Sequence, residues 1–159
     1  MDENKKALGL KTLERAAAAL RKNNFGAEVY PDGAAAAAAL LSLAGSGKKI
    51  GLGGSVTAQE LGLAEKLAAA GNEIITHRSG MDPEERRRTW FAALSSDLYL
   101  ASPQAVTYDG KLVLVDGNGN RCAAVTWGPR KIVLLAGANK LVRDQEAGLW
   151  RARNTAAIA

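Results

Sequence analysis

The chain has 159 residues, a formal net charge of +5 at pH 7 and one cysteine. We predict a single domain over residues 1–159, because this length can bury a core without the help of metals or disulfides. One cysteine excludes an internal disulfide and an all-cysteine metal site, and we predict no metal site in the chain.

Helices and strands alternate through the first half of the chain. Apolar residues recur at helical spacing over residues 4–23, and Pro31-Asp32-Gly33 opens a second, alanine-rich helix that runs through Leu43. Short apolar runs predict strands at Ala27–Tyr30 and Lys49–Leu52. A third helix is predicted from Thr57 to Ala70, with Gly71 and Asn72 ending it.

The alternation of strands and helices continues to Leu94, and consecutive strands then follow. A strand is predicted at Glu73–Thr76, followed by a helix to Leu94 that Asp82 caps and that begins at Pro83. Next come a strand at 97–101 and a hairpin, in which 104–107 and 111–115 flank a turn at Asp109-Gly110. A strand at 131–136 and a helix at 141–153 end the chain. The fold class expected is α/β, with an open, mainly parallel sheet flanked by helices and an edge β-hairpin.

Charge and hydropathy narrow the range of partners. Basic residues are scattered apart from Arg86-Arg87-Arg88, and aromatic residues make up only 5% of the chain, so a stacking platform for nucleic acid is not expected. The excess positive charge favours a small anionic ligand. No secretory leader and no apolar run of eighteen residues occur, so we expect no membrane span and a cytoplasmic protein.

A glycine-rich turn after the strand at Lys49–Leu52 is the main candidate binding site. Glycines let the backbone approach a ligand, and the amides of such a turn and of a following helix bind negative groups. The same glycines would also suit a tight turn without a ligand. The predicted anion-binding residues here are Gly51, Gly53, Gly54, Ser55 and Thr57.

Two further polar turns also follow predicted strands, and the carboxyl ends of parallel strands form the ligand-binding edge of such sheets. The first offers a carboxylate and two amides, although its sequence equally suits a turn with positive φ. The second could equally be a helix cap with a solvated lysine. The predicted substrate-binding residues in these turns are Asp116, Gly117, Asn118, Gly119, Asn120, Asn139 and Lys140.

Catalytic residues cannot be assigned from motifs. The turn lacks the third glycine of a dinucleotide fingerprint, and Ser55-Val56-Thr57 does not complete a nucleophile elbow. His77 is more typical of a structural histidine, and Cys122, beside two alanines, of a buried thiol. We therefore leave the catalytic residues unknown and predict no cofactor in this chain.

Four segments resemble the LUD domain, the lactate-utilization protein family. They are GLGGSVTAQELGL at 51–63, SDLYLASPQAVTYDGKLVLVDGNGNR at 96–121, GPRKIVLLAGANKLV at 128–142 and the RxRNTAA block at 151–157. The resemblance implies a fold like that of the NagB, ribose-phosphate isomerase and CoA-transferase superfamily. It also implies a subunit in the oxidation of lactate to pyruvate that works with iron–sulfur partner proteins. Within the second segment, Ser102 and Gln104 join the predicted substrate-binding residues.

Two other functions stay open beside this one. The chain could be a non-catalytic assembly partner of iron–sulfur proteins. It could also be an isomerase or ligase acting on a sugar phosphate or a folate, a reading that depends on fold analogy alone. The isomerase comparison is weak, because Asp116 stands where the isomerase has a lysine. A CoA-transferase would need a glutamate nucleophile, and Glu60 is not convincingly placed for that role.

Overall fold

The computed structural model describes the backbone of residues 3–156 and the side chains of residues 7–156. Contacts divide the described chain into two compact units. One consists of residues 3–36, 103–115 and 136–156, and the other of residues 37–102 and 116–135. We call them the first and second unit. The prediction of a single domain stays a prediction.

The second unit is built on a parallel four-stranded sheet, as the alternating pattern predicts. Its strands are β1 (Lys49–Leu52), β2 (Glu73–Thr76), β3 (Leu98–Ala101) and β6 (Lys131–Leu134), in the order β2-β1-β3-β6. All three pairings are parallel. β3 is buried along its whole length, as expected for an inner strand covered on both faces.

Helices cover both faces of this sheet, and side chains alternate between them. On one face, Leu98 and Leu100 pack with residues from α2 (Gly33–Ala44), α3 (Val56–Glu60) and α4 (Leu63–Ala69). On the other face, Tyr99 and Ala101 pack with α5 (Pro83–Leu94) and α6 (Asn120–Thr126). The predicted α/β class, with helices flanking a mainly parallel sheet, is confirmed.

The first unit holds α1 (Glu3–Lys22), a three-stranded sheet and the final helices. The hairpin strands β4 (Ala105–Thr107) and β5 (Leu112–Val113) pair antiparallel, and β4 also pairs in parallel with β7 (Leu141–Val142). α7 (Gln145–Arg151) packs on this sheet through Gly148, where an added Cβ would lie 2.8 Å from Val113. A 3₁₀ turn at Ala138–Lys140 precedes β7, and a π-helical turn, Ala152–Ala156, follows α7.

Several predicted elements are confirmed and others are corrected. The hairpin is confirmed, but it belongs to its own sheet, and the edges of the four-stranded sheet are β2 and β6. The predicted strand at Ala27–Tyr30 is wrong: the segment is irregular and pairs with no strand of the described chain. The helix predicted over 141–153 begins only at Gln145, because Leu141 and Val142 pair with β4.

The third predicted helix is two helices. Gly62 adopts a left-handed conformation, with φ of 59°, and separates α3 from α4. A left-handed residue cannot continue a right-handed helix, so the chain changes direction there. α6 was not predicted, since glycines and asparagines precede it. Of the helices in the part of the chain that the structure describes, none is both long and apolar enough to cross a membrane.

Candidate functional site

The order of the parallel strands creates a switch point between β1 and β3. The chain passes from β1 outward to β2 and from β3 outward to β6, so the loops after these two central strands diverge. Such points at the carboxyl edge are where open α/β sheets bind ligands. Here the loops are joined by a hydrogen bond of 2.6 Å between the buried hydroxyls of Ser55 and Ser102.

The loop after β1 offers a row of unused backbone donors. Ser55 caps α3, and its hydroxyl accepts a hydrogen bond from the Ala58 amide at 3.2 Å. Within the described part of the chain, no acceptor faces the four preceding amides, those of residues 54, 55, 56 and 57. Consecutive amides at the start of a helix form the kind of concavity that attracts an anion.

Gly51 and Gly53 have a packing reason to lack side chains. A Cβ at Gly53 would lie 2.6 Å from the Tyr99 hydroxyl oxygen, and one at Gly51 would lie 2.7 Å from the Tyr99 ring. Tyr99 therefore fills the space beside the loop, and burial raises its pKa to about 12 although the charge of Arg121 opposes the rise. The hydroxyl is neutral at physiological pH.

Gly54 is different, because its backbone requires glycine. Its φ of 63° lies in the left-handed region. A Cβ there would lie 3.5 Å from Cε1 of His77, so the imidazole of the single histidine stands against the exposed side of this loop. His77 follows β2 and completes a row of three loops at the same sheet edge.

The second glycine-rich turn is organised by Asp116. Its carboxylate accepts hydrogen bonds from the amides of Asn118 at 3.1 Å, Cys122 at 2.8 Å and Gly119. Burial works against ionisation of Asp116, but bonds from Cys122 and Gly119 outweigh it and hold the pKa below its usual range. The carboxylate is thus occupied in starting α6, which favours the turn interpretation over direct substrate binding.

Cys122 is half-buried at the start of α6. Burial, and then its hydrogen bond to Asp116, raise the pKa of the thiol, which is therefore protonated at neutral pH. The side chain has the character of an inert thiol. A [4Fe–4S] cluster takes four thiolates as ligands, and the chain has one, so this donor set does not fit such a cluster.

The remaining predicted residues divide between the units. Gly117, Asn118 and Gly119 are exposed in the second unit. Gln104, Asn139 and Lys140 belong to the first unit, where the Gln104 side chain accepts from the Val115 amide at 3.0 Å. Arg151 donates to the backbone oxygens of Gln104 and Asn139. These contacts give Gln104 a role in holding the hairpin.

Sequence reasoning missed a small cavity in the second unit. It has a volume of about 10 Å³, room for roughly one water, and lies at the ends of β1 and β2, beside Tyr99 of β3 and beneath α5 and α6. His77 and Trp90 meet at its wall with their ring centroids 6.0 Å apart. Gly51 in β1 and Gly53 just after it were the only sequence signal of a large side chain nearby. The lining residues are Leu52, Ile75, Thr76, His77, Thr89, Trp90, Ala93, Tyr99, Asn120 and Ala124.

A wider groove of about 310 Å³ lies in the first unit, between α1 and the residues around β7. Leu8, Thr12 and Tyr108 are among its lining residues, and the groove is mainly apolar. None of its lining residues in the described part of the chain is charged, so these residues supply no countercharge for a small anion.

Comparison with known protein families matches residues 13–159 to the LUD domain. No curated protein and no solved structure matches the chain. The match spans nearly the whole chain and includes all the predicted binding turns. The chain therefore belongs to the LUD-domain family, which is associated with lactate utilization.

Proposed function

We propose that this protein is a lactate-utilization subunit that binds a small anionic ligand at the loop after β1 and contributes to the oxidation of lactate to pyruvate. The family association with lactate utilization supports the process. The loop geometry supports the ligand class, since lactate and pyruvate are both carboxylates. Iron–sulfur proteins are the proposed partners and electron acceptors.

The observation that carries the proposal is the row of backbone amides at residues 54–57. Each would be left unsatisfied in a dry site, and an anion is the acceptor that also benefits from their aligned dipoles. Gly54 and Val56 are exposed, so a ligand can reach the row from solvent. The buried pair of Ser55 and Ser102 fixes the loop, which reduces the entropy lost on binding.

Val56 allows one donor to be removed without disturbing the helix. It is the first residue of α3, where proline is well tolerated, and Ser55 before it is already extended, with φ of −110° and ψ of 121°. Val56→Pro deletes the amide proton, whereas Val56→Ala keeps it and removes the side chain. We expect the proline variant to weaken anion binding about 10-fold, and the alanine variant to leave it unchanged.

The measurement is calorimetry and thermal shift with lactate, pyruvate, a sugar phosphate, a nucleotide and CoA. A ligand at 100 times its dissociation constant should add about 2.7 kcal/mol to the free energy of unfolding. Equal affinities of both Val56 variants would show that the loop is only a turn. Selective binding of the sugar phosphate would instead favour the isomerase or ligase alternative.

One observation favours a second candidate function, the assembly of iron–sulfur partners. Trp127 is 84% exposed and Val56 is 65% exposed, both in the second unit, and large apolar side chains of this kind are common at protein interfaces. Trp127→Ser should weaken the complex with iron–sulfur lactate-utilization proteins in sedimentation experiments, while leaving anion binding intact. Unchanged complex formation would count against this surface.

A further inference from the structure

Two half-buried side chains on α5 each hold a buried nitrogen that has no hydrogen-bond partner among the described residues. Within the part of the chain that the structure describes, neither Nε1 of Trp90 nor Nε of Arg86 meets an acceptor, and both atoms are out of contact with solvent. A buried donor left unpaired costs about 1–3 kcal/mol, so an unused donor needs an explanation. The two residues are four apart on one helix and therefore lie on the same side of it.

Trp90 lines the small cavity together with His77, Thr76, Thr89 and Asn120. An indole N–H can only donate, so its missing hydrogen-bond partner must be an acceptor with a lone pair. Neither of the threonine hydroxyls that line the cavity accepts from this N–H. Thr89 donates to the Glu85 carbonyl at 2.9 Å, and Thr76 donates to the His77 carbonyl at 3.4 Å. The volume of about 10 Å³ admits one oxygen atom and no larger group.

The surroundings of Arg86 favour an anion over a water as the missing hydrogen-bond acceptor. It donates to the Met81 carbonyl at 3.1 Å, and no ion pair involves it among the described residues. Its neighbour Arg87, by contrast, is exposed and paired with Glu84 at 3.1 Å. A half-buried guanidinium with a vacant donor, one helical turn from a vacant indole donor, is better completed by a negative oxygen than by a neutral one.

We propose that the cavity accepts one carboxylate oxygen of a small monocarboxylate, which hydrogen-bonds to the Trp90 indole N–H within reach of the Arg86 charge. His77 stands both at this cavity and against Gly54, so the rest of the ligand extends toward the amides of residues 54–57. This inference rests on the proposed function, because it identifies the ligand class at the same sheet edge. Trp90 and Arg86 are then specificity residues for the ligand.

The test is an NMR titration of ¹⁵N-labelled protein with sodium lactate, pyruvate, acetate or phosphate, with sodium chloride as the ionic-strength control. The chain has three tryptophans, and Trp127→Phe and Trp150→Phe identify the indole signals of the other two. We expect the Trp90 indole proton to shift downfield and to saturate with lactate or pyruvate. The wild-type titration needs no variant at the site, so a folding defect cannot obscure it.

Variants measure how much each donor contributes to the free energy of carboxylate binding. Trp90→Phe should weaken carboxylate binding about 10-fold to 100-fold, the range for a hydrogen bond to a charged group. Arg86→Gln should also weaken it, whereas the matched exposed control Arg88→Gln should change it by less than about twofold. Equal effects of the two arginine substitutions would reduce the role of Arg86 to general surface charge and overturn its assignment.

The outcomes separate this inference from the proposed function. If carboxylates shift the amide signals of residues 54–57 but not the Trp90 indole, the loop site stands and the cavity holds only a structural water. If they shift the indole alone, the cavity assignment stands and the loop proposal fails. A response to phosphate without one to carboxylates overturns the ligand class, and no response to any anion overturns both proposals.

Discussion

At the scale of single residues, Tyr99 occupies the space that Gly51 in β1 and Gly53 just after it leave open. Burial raises its pKa to about 12 from 10.0, the value expected of an unfolded chain. Between these two values the folded state holds the proton and the unfolded state releases it, so stability is fully present below pH 10 and falls as the pH rises toward 12. Ionisation of Tyr99 should therefore contribute to unfolding in alkali.

Tyr99→Phe should flatten the loss of stability between pH 10 and pH 12. The measurement is denaturant unfolding at several pH values, with absorbance titration of the tyrosines beside it. Tyr108→Phe serves as the matched control, since that ring lies half-exposed beneath the Arg15 guanidinium at 5.2 Å. A parallel pH profile for the wild type and Tyr99→Phe would contradict the assignment.

Asp116 accepts hydrogen bonds from the amides at the start of α6 and, after burial, is the next cause of the raised pKa of the Cys122 thiol. Replacing it with asparagine removes a charged acceptor from three amides, and we expect a loss of about 0.5–2 kcal/mol in the free energy of unfolding, as for other helix caps. Because the pKa of Asp116 is lowered on folding, its contribution is present above its unfolded pKa and is lost as the pH falls through the folded value. The difference between the two proteins should therefore shrink in acid.

The same substitution should accelerate alkylation of Cys122. The wild-type thiol is held protonated first by burial and then by Asp116, and Asp116→Asn removes the second cause. Rates of reaction with iodoacetamide across pH 7–10 would report the shift, because the thiolate is the reactive form. Wild-type kinetics in the variant would mean that burial alone sets the pKa.

At the scale of elements, Gly62 and Gly9 make a matched pair of glycines in helical segments. Gly62 is left-handed between α3 and α4, while Gly9 lies inside α1, where no atom of the described residues comes within 4 Å of an added Cβ. Gly62→Ala should destabilise the protein by about 1–2 kcal/mol, and Gly9→Ala should stabilise it by about 0.5–1 kcal/mol. Denaturant unfolding measures both, and a stabilising Gly62→Ala would contradict the predicted break.

The elements with their own local signals were predictable from sequence. Asp82 followed by Pro83 marks the start of α5, and the Asp82 carboxylate does accept from the amides of Glu84 and Glu85. The elements that were predicted wrongly depend on pairing partners that are distant in the sequence. Val29 and Tyr30 have strand propensity, but no strand of residues 3–156 pairs with them. β7 is two residues long and depends on its pairing with β4.

In the candidate site, too, local features were predictable from sequence and features that depend on distant residues were not. The loop after β1 was located from its glycines, because turn chemistry is local. The cavity could not be, since Trp90, His77 and Tyr99 come together only when β2, α5 and β3 pack. Asp116 was predicted to bind substrate, which stays a prediction, and its bond from the Cys122 amide, six residues further on, lies beyond the reach of a turn motif.

At the scale of the whole molecule, the purified protein should oxidise no lactate by itself. Removing two electrons from a hydroxy acid needs an acceptor, and the sequence has no complete dinucleotide fingerprint and only one cysteine and one histidine. Activity should appear on reconstitution with iron–sulfur lactate-utilization proteins. Lactate-dependent dye reduction by the isolated, metal-free chain would overturn this expectation.

The first unit is assembled from distant parts of the chain, and the contact between α1 and the hairpin turn is the clearest case. The Asn23 side chain donates to the carbonyl of Asp109, 86 residues later, at 3.1 Å, and a Cβ on Gly110 would lie 2.5 Å from the Ala19 backbone. At about 5–20 residues per second, a ribosome needs roughly 4–17 s to span that interval. During synthesis α1 is therefore without this contact for several seconds. Ala16 and Ala17, which are buried in the finished protein, are then accessible to chaperones and proteases.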